Sequence, residues 1–254
     1  INIILVLISL FLILFLKWNT YIGLYIFIIG LIIYPYLNYH KNINTILYLS
    51  FIITSIWVVN SSNYIELWLS IECQSLILIL LIFIYSQNKI INMESIFKYL
   101  IVSSLASICI IGGFIYMYIN GYSLNTISFN LFYDPMLYLT NFGIILKLGI
   151  APIHLWALEV YLGLSLICLL ILSIIPKLSL LFVIINLKNI SHLLIFIGFI
   201  SIIIGCIGGL NQNNIKSILL YSSVNQIGII CIGLHNFNLQ NIGIFFLTIY
   251  FISL

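Results

Sequence analysis

The chain has 254 residues, of which 64% are hydrophobic and 5% charged, and its net charge of +3 comes from eight lysines against five acids. A soluble domain carries roughly 25% charged residues, so this chain has too little polar surface for water, and lipid must be its main solvent. The sparse charge also excludes the basic stripe that nucleic acid requires, and long unbroken apolar runs, in place of alternating ones, exclude a β-barrel.

In chain order, apolar segments of spanning length cover roughly 1–16, 20–39, 45–62, 64–86, 95–118, 135–153, 164–187, 191–210, 214–234 and 239–254, separated by short polar joints. They predict an all-α, polytopic membrane protein of about ten transmembrane helices, one membrane domain over 1–254. The apolar start at Ile1 to Leu16 continues into further spans and does not read as a cleavable signal. The longest joint, from Asn120 to Pro135, is polar enough for a surface loop or hairpin. Asp134 before Pro135, and the run from Asn92 to Ser95, are helix-start signals. Glu66 and Glu94 lie near span ends and read as solvated or capping acids. The loop lysines Lys17, Lys41, Lys89 and Lys188 divide between the two sides and leave orientation open.

Cys73, Cys109, Cys168, Cys206 and Cys231 all fall inside apolar runs without a CxxC pair. They read as small buried hydrophobes, with no disulfide or metal framework expected. Ile, Leu, Phe, Tyr and Asn, whose codons are mostly AT-rich, are favoured throughout, which fits an organellar genome.

Three charges are stranded at membrane depth. Glu72 lies in "YIELWLSIECQSLILILL", and Lys177 is central in "LSLICLLILSIIPKLSLLFVI". Lys147 follows Pro135 by twelve residues, about 18 Å of helix in a core about 30 Å thick. Each costs about 2.5–3.5 kcal/mol at a span centre, so the side chains must face one another, water, or both. Lys98 and Lys216 stand a few residues inside their spans, where snorkelling is open to them. A purely structural buried pair is the competing reading, although such pairs are seldom good stabilisers. Lysine suits proton relay because burial favours the neutral amine while a nearby carboxylate favours the ammonium. Arginine, always protonated, does not.

The stretch "GIILKLGIAPIHLW" (143–156) sets Lys147 just ahead of Gly149 and Pro152. Proline removes a backbone donor and glycine loosens the turn, which predicts a discontinuous helix near Pro152. Irregular backbone at this depth is tolerated only inside protein or beside water. His154 is either an extension of that path or a hydrogen-bonded structural residue.

These residues also carry a resemblance. "LKLGIAPIHLWALEVYLG" (146–163) followed by "SIIPKLSLL" (173–181) resembles the central signature of the antiporter-like subunits of respiratory complex I, most closely its NADH dehydrogenase subunit 2 branch. "LWLSIECQSL" (67–76), "MESIFKYLIVSS" (93–104) and "NIKSILLYSSVNQIG" (214–228) are similar to the family's other charge-bearing spans, in the same order. One departure is Leu158, where the family usually has proline before the acid. The resemblance implies a proton-translocating membrane-arm subunit of NADH:ubiquinone oxidoreductase in the mitochondrial inner membrane. Protons would move through buried Glu, Lys and water, driven by redox chemistry elsewhere in the complex. It implies that Glu72 and Lys98 form the charge pair of the input path, that Lys147 is the lysine of the broken helix, that Lys177 connects onward, and that Lys216 lies further along the axis. NADH, FMN, Fe–S clusters and ubiquinone would belong to other subunits, with no cofactor in this chain and lipids and other membrane-arm subunits as partners. Family members have about fourteen spans built as two inverted five-helix repeats, so 45–187 is expected to be the first repeat and 191–254 an incomplete second. Leu254 ends inside an apolar run, so a separate chain from a split gene is expected to supply the missing C-terminal helices. A subunit of a multi-subunit cation/proton antiporter, which shares these motifs, is the alternative. A membrane scaffold with buried ion pairs is a second one.

Overall fold

The computed structural model describes residues 42–85, 89–119, 137–186 and 191–234, with Ile26 and Gly30 as single positions. Within them run eight helices: α1 (Asn42–Asn60), α2 (Tyr64–Tyr85), α3 (Lys89–Ile119), α4 (Leu137–Leu148), α5 (Leu155–Gly163), α6 (Leu166–Asn186), α7 (Ser191–Leu210) and α8 (Ile215–Leu234). Among the described residues, four helical stretches are long and apolar enough to cross a membrane: Tyr64–Tyr85, Met93–Ile119, Leu166–Ile184 and Ile215–Gly233. The expected spans over 1–16, 20–39 and 239–254, and the loop from Asn120 to Pro135, lie outside the described residues.

Serine and threonine survive in these apolar helices because their hydroxyls turn back onto the preceding turn. Ser50, Thr54, Ser55, Ser70 and Ser75 each donate to the carbonyl three residues earlier, so these five hydroxyls are paired within their own helices. Glu66 ties the end of α1 to the start of α2. Its carboxylate accepts from Trp57 Nε1 (2.9 Å), the Ser62 amide (3.1 Å) and the Ser62 hydroxyl (3.2 Å), in the manner of a capping-box acid. Capping, one of the two roles expected of it, is the one observed.

Burial ranks the spans. The span in α6 is 83% buried, against 39–50% for the other three, so α6 is the central post, touching α1, α2, α4 and α8. The discontinuity expected near Pro152 is present: the helix of the segment over 135–153 stops at Leu148, and a second short helix, α5, follows the break. α4 runs along α3 with Gly143 close against the Ala106 carbonyl, where a Cβ would stand 2.7 Å from the oxygen. α7 packs chiefly on α8 across a seam of Gly198, Gly205, Gly208 and Gly228, the small-residue contact that membrane helices favour. Cys168 and Cys231 are buried as expected, but Cys206 is exposed on the outer side of α7.

Candidate functional site

The break between α4 and α5 organises the site. Gly149 has φ +67°, a left-handed conformation that glycine adopts without the strain a side chain would bring. A Cβ there would also meet the Ala157 Cβ at 3.2 Å. The Gly149 amide closes the last turn of α4 by donating to the Ile145 and Leu146 carbonyls, both at 3.2 Å. One further turn, from Ile153 N–H to Ile150 C=O at 3.0 Å, leads through the cis Ala151–Pro152 peptide to the N-cap His154. Lys147 therefore stands in the last turn of a helix, where the dipole favours a cation.

Lys147 Nζ lies 2.6 Å from Glu72 Oε1 on α2; the two side chains are 6% and 24% exposed. This corrects the expected Glu72–Lys98 pair. Lys98 instead bridges Glu94 (2.6 Å) and Glu159 (2.8 Å), and all three side chains are at least 38% exposed. The reason is azimuth. Successive residues on a helix point about 100° apart, and it is Tyr99 that turns inward, its ring 6.2 Å from that of Trp156. Lys98 is thereby carried to the outer face with its i−4 neighbour Glu94.

Lys177, 6% exposed, has no carboxylate within ion-pair distance among the described residues. Its Nζ donates to Ser223 Oγ at 2.8 Å and lies 5.4 Å from the centre of the Tyr161 ring, a cation–π distance. Ser223 in turn donates to the Leu220 carbonyl at 2.7 Å. Nothing in the stretch "NIKSILLYSSVNQIG" marks Ser223 for this role; its partner comes from another helix.

Both lysines open on one cavity of about 30 Å³, measured as space for the centres of water molecules and walled by five helices. Ser75 and Gln74 line it from α2, Tyr99 from α3, Lys147 from α4, Trp156 and Tyr161 from α5, and Lys177 from α6. About 10–15 Å³ on this measure holds one water, so the space suits two. Gln74 is fixed by reciprocal bonds with Ser179 on α6, at 3.1 and 3.3 Å, another contact without a sequence signal.

The remaining expected residues stand apart. Lys216 donates to the Leu162 and Leu164 carbonyls at 3.1 and 2.5 Å, so it caps the end of α5. The His154 ring is buried edge-on against Tyr221, with centroids 5.7 Å apart, and does not line the cavity. What the arrangement offers chemically is a carboxylate, two amines and room for water in series, within an apolar shell.

Residues 61–254 match the family described as "NADH:quinone oxidoreductase/Mrp antiporter, TM". The NADH-quinone oxidoreductase subunit N of Wolbachia sp. subsp. Brugia malayi (strain TRS) is 30% identical over 219 residues, 78% of this chain and 47% of that protein. The NADH-ubiquinone oxidoreductase chain 2 of Rhizopus oryzae is 29% identical over 227 residues, 76% of this chain and 43% of that one. This chain thus spans about half the length of the curated relatives it matches. A chain of the respiratory complex I from Thermus thermophilus with bound aureothin shares the fold, with a TM-score of 0.80 at 21% identity over 91% of this chain and 54% of that chain.

Proposed function

This chain belongs to the NADH:quinone oxidoreductase/Mrp antiporter membrane family, and we propose that it is a proton-translocating membrane-arm subunit of an NADH:ubiquinone oxidoreductase in the mitochondrial inner membrane. The observation that carries this reading is the shared cavity, with Lys147 held by Glu72 on one side and Lys177 held by neutral groups on the other.

Glu72 favours the ammonium at Lys147, and the end of α4 adds to that preference. When the carboxylate draws away, the ammonium gives its proton to a water in the cavity, and that water passes one of its own hydrogens to the neutral Lys177 amine. Lys147 is left as amine, Lys177 as ammonium and the water unchanged. Ser223 and the Tyr161 face receive the new cation. The apolar walls confine the transfer to this line. Lys98 belongs to the outer charge cluster, where it serves proton entry in this reading, and Lys216 anchors α5. Electron transfer through NADH, FMN, Fe–S clusters and ubiquinone falls to other subunits. Likeness to the ubiquinone-linked chain of Rhizopus oryzae, together with the AT-rich residue usage, supports the mitochondrial placement.

The test is Lys147→Met in the assembled complex in sealed vesicles. NADH-driven proton uptake should fall to background while the complex still assembles. A scaffold would keep pumping, and sodium transport without NADH dependence would favour the antiporter alternative.

A further inference from the structure

The cavity between the two lysines holds a second kind of information. Trp156 lines it, and its indole N–H is buried with no hydrogen-bond partner among the described residues. A buried donor left unpaired is a cost that native proteins avoid, commonly by binding a water. Across the cavity, Pro176 sits inside α6. Proline has no N–H, so the Leu172 carbonyl four residues earlier is deprived of its helical donor. Leu172 and Pro176 both line the same cavity. An unpaired donor thus lines a space of about 30 Å³, two to three times what one water needs, and the residue whose carbonyl the proline strips of its helical donor belongs to the same wall.

We propose that Trp156 and Pro176 are positioning residues that hold and orient a resident water between Lys147 and Lys177. The water accepts from the Trp156 N–H and from the Lys147 ammonium, and it donates to the Leu172 carbonyl and to the Lys177 amine. That set uses both its lone pairs and both its hydrogens. It also aims one hydrogen at Lys177 before any transfer begins. In the step itself, a bond forms between the water oxygen and the Lys147 proton while the water O–H facing Lys177 breaks. That hydrogen joins the Lys177 lone pair, and the water keeps its composition. This inference rests on the proposed transfer from Lys147 to Lys177 and adds the groups that time and aim it.

Trp156→Phe keeps the ring and removes the N–H, whereas Pro176→Ala returns an N–H to the Leu172 carbonyl. In the assembled complex, each should lower the protons taken up per NADH oxidised by at least half, with NADH oxidation by uncoupled vesicles unchanged. An experimental map of the unsubstituted complex that resolves waters should show one within hydrogen-bond distance of Trp156 Nε1, and Trp156→Phe should lose it. If both variants pump like the parent while Lys147→Met does not, the water station is wrong and the relay stands. If Lys147→Met also pumps, the relay itself is wrong. Should the variants fail to assemble, the parent map decides, and a dry contact at Trp156 Nε1 overturns the proposal.

Discussion

Substituting Glu72 and Lys147, singly and together, separates an ion pair kept for stability from one kept for transfer. At 2.6 Å, the attraction between two unit charges is about 6 kcal/mol at an effective dielectric of 20. Most of that is offset by the cost of taking the lysine out of water, since its side chain is only 6% exposed. The net value of the pair is therefore small, but the penalty for orphaning one member is not. Glu72→Gln leaves a buried ammonium facing an amide, and Lys147→Met leaves a carboxylate facing a thioether; each should cost about 3–5 kcal/mol. The double variant removes both charges and should return close to the parent, because a buried pair replaced by neutral groups of similar volume is often tolerated. An SDS titration of the assembled complex, with unfolding of this subunit read by proteolysis, measures the cycle. Proton uptake on the same preparations should stay at background in the double variant even though its stability recovers. A coupling energy below about 1 kcal/mol, or pumping restored along with stability, would refute this account of the pair.

Gly149→Ala should cost about 1–2 kcal/mol for the left-handed backbone alone, with crowding against Ala157 added, and the same titration should detect it as earlier unfolding. Lys216→Met strips the donor from two carbonyls at the end of α5; a loss of about 1–2 kcal/mol is expected, with protons per NADH near the parent value, whereas a relay role would abolish pumping. Gln74→Leu breaks the reciprocal contact with Ser179 and should destabilise by about 1–3 kcal/mol, measured as a lower denaturation midpoint. Lys98→Met should change thermal stability little, because its partners are exposed, and raising the salt concentration should narrow what difference there is.

The helices and their break were legible because each depends on local signals. Apolar runs set the spans, and Gly149 with Pro152 announced that the crossing near Lys147 would not be continuous. Partner choice was not legible. Whether Glu72 meets Lys98 or Lys147 depends on how far α3 is rotated about its axis, and a one-residue step between Lys98 and Tyr99 decides which of them faces inward. The cavity was less legible still, since its wall comes from five helices and from residues as ordinary as Leu172 and Ala157. Ser223 and Trp156 gain their meaning only from what lies opposite them. The role of Lys216 was hidden for a related reason. Its position near a span start was plain, but the acceptors it found are backbone carbonyls at the end of α5, a helix the spanning segments did not separate.

The glycine seam between α7 and α8 has a mechanical consequence. With main chains nearly touching at Gly198 and Gly228, neither rod can roll over the other without collision, so the two must tilt as a single lever. The serine that cradles the amine of residue 177 is on that lever, and its far edge is the outward row of Phe196, Phe199, Ile203 and Ile207. A push on that edge therefore arrives at Lys177, a cation buried among the described residues.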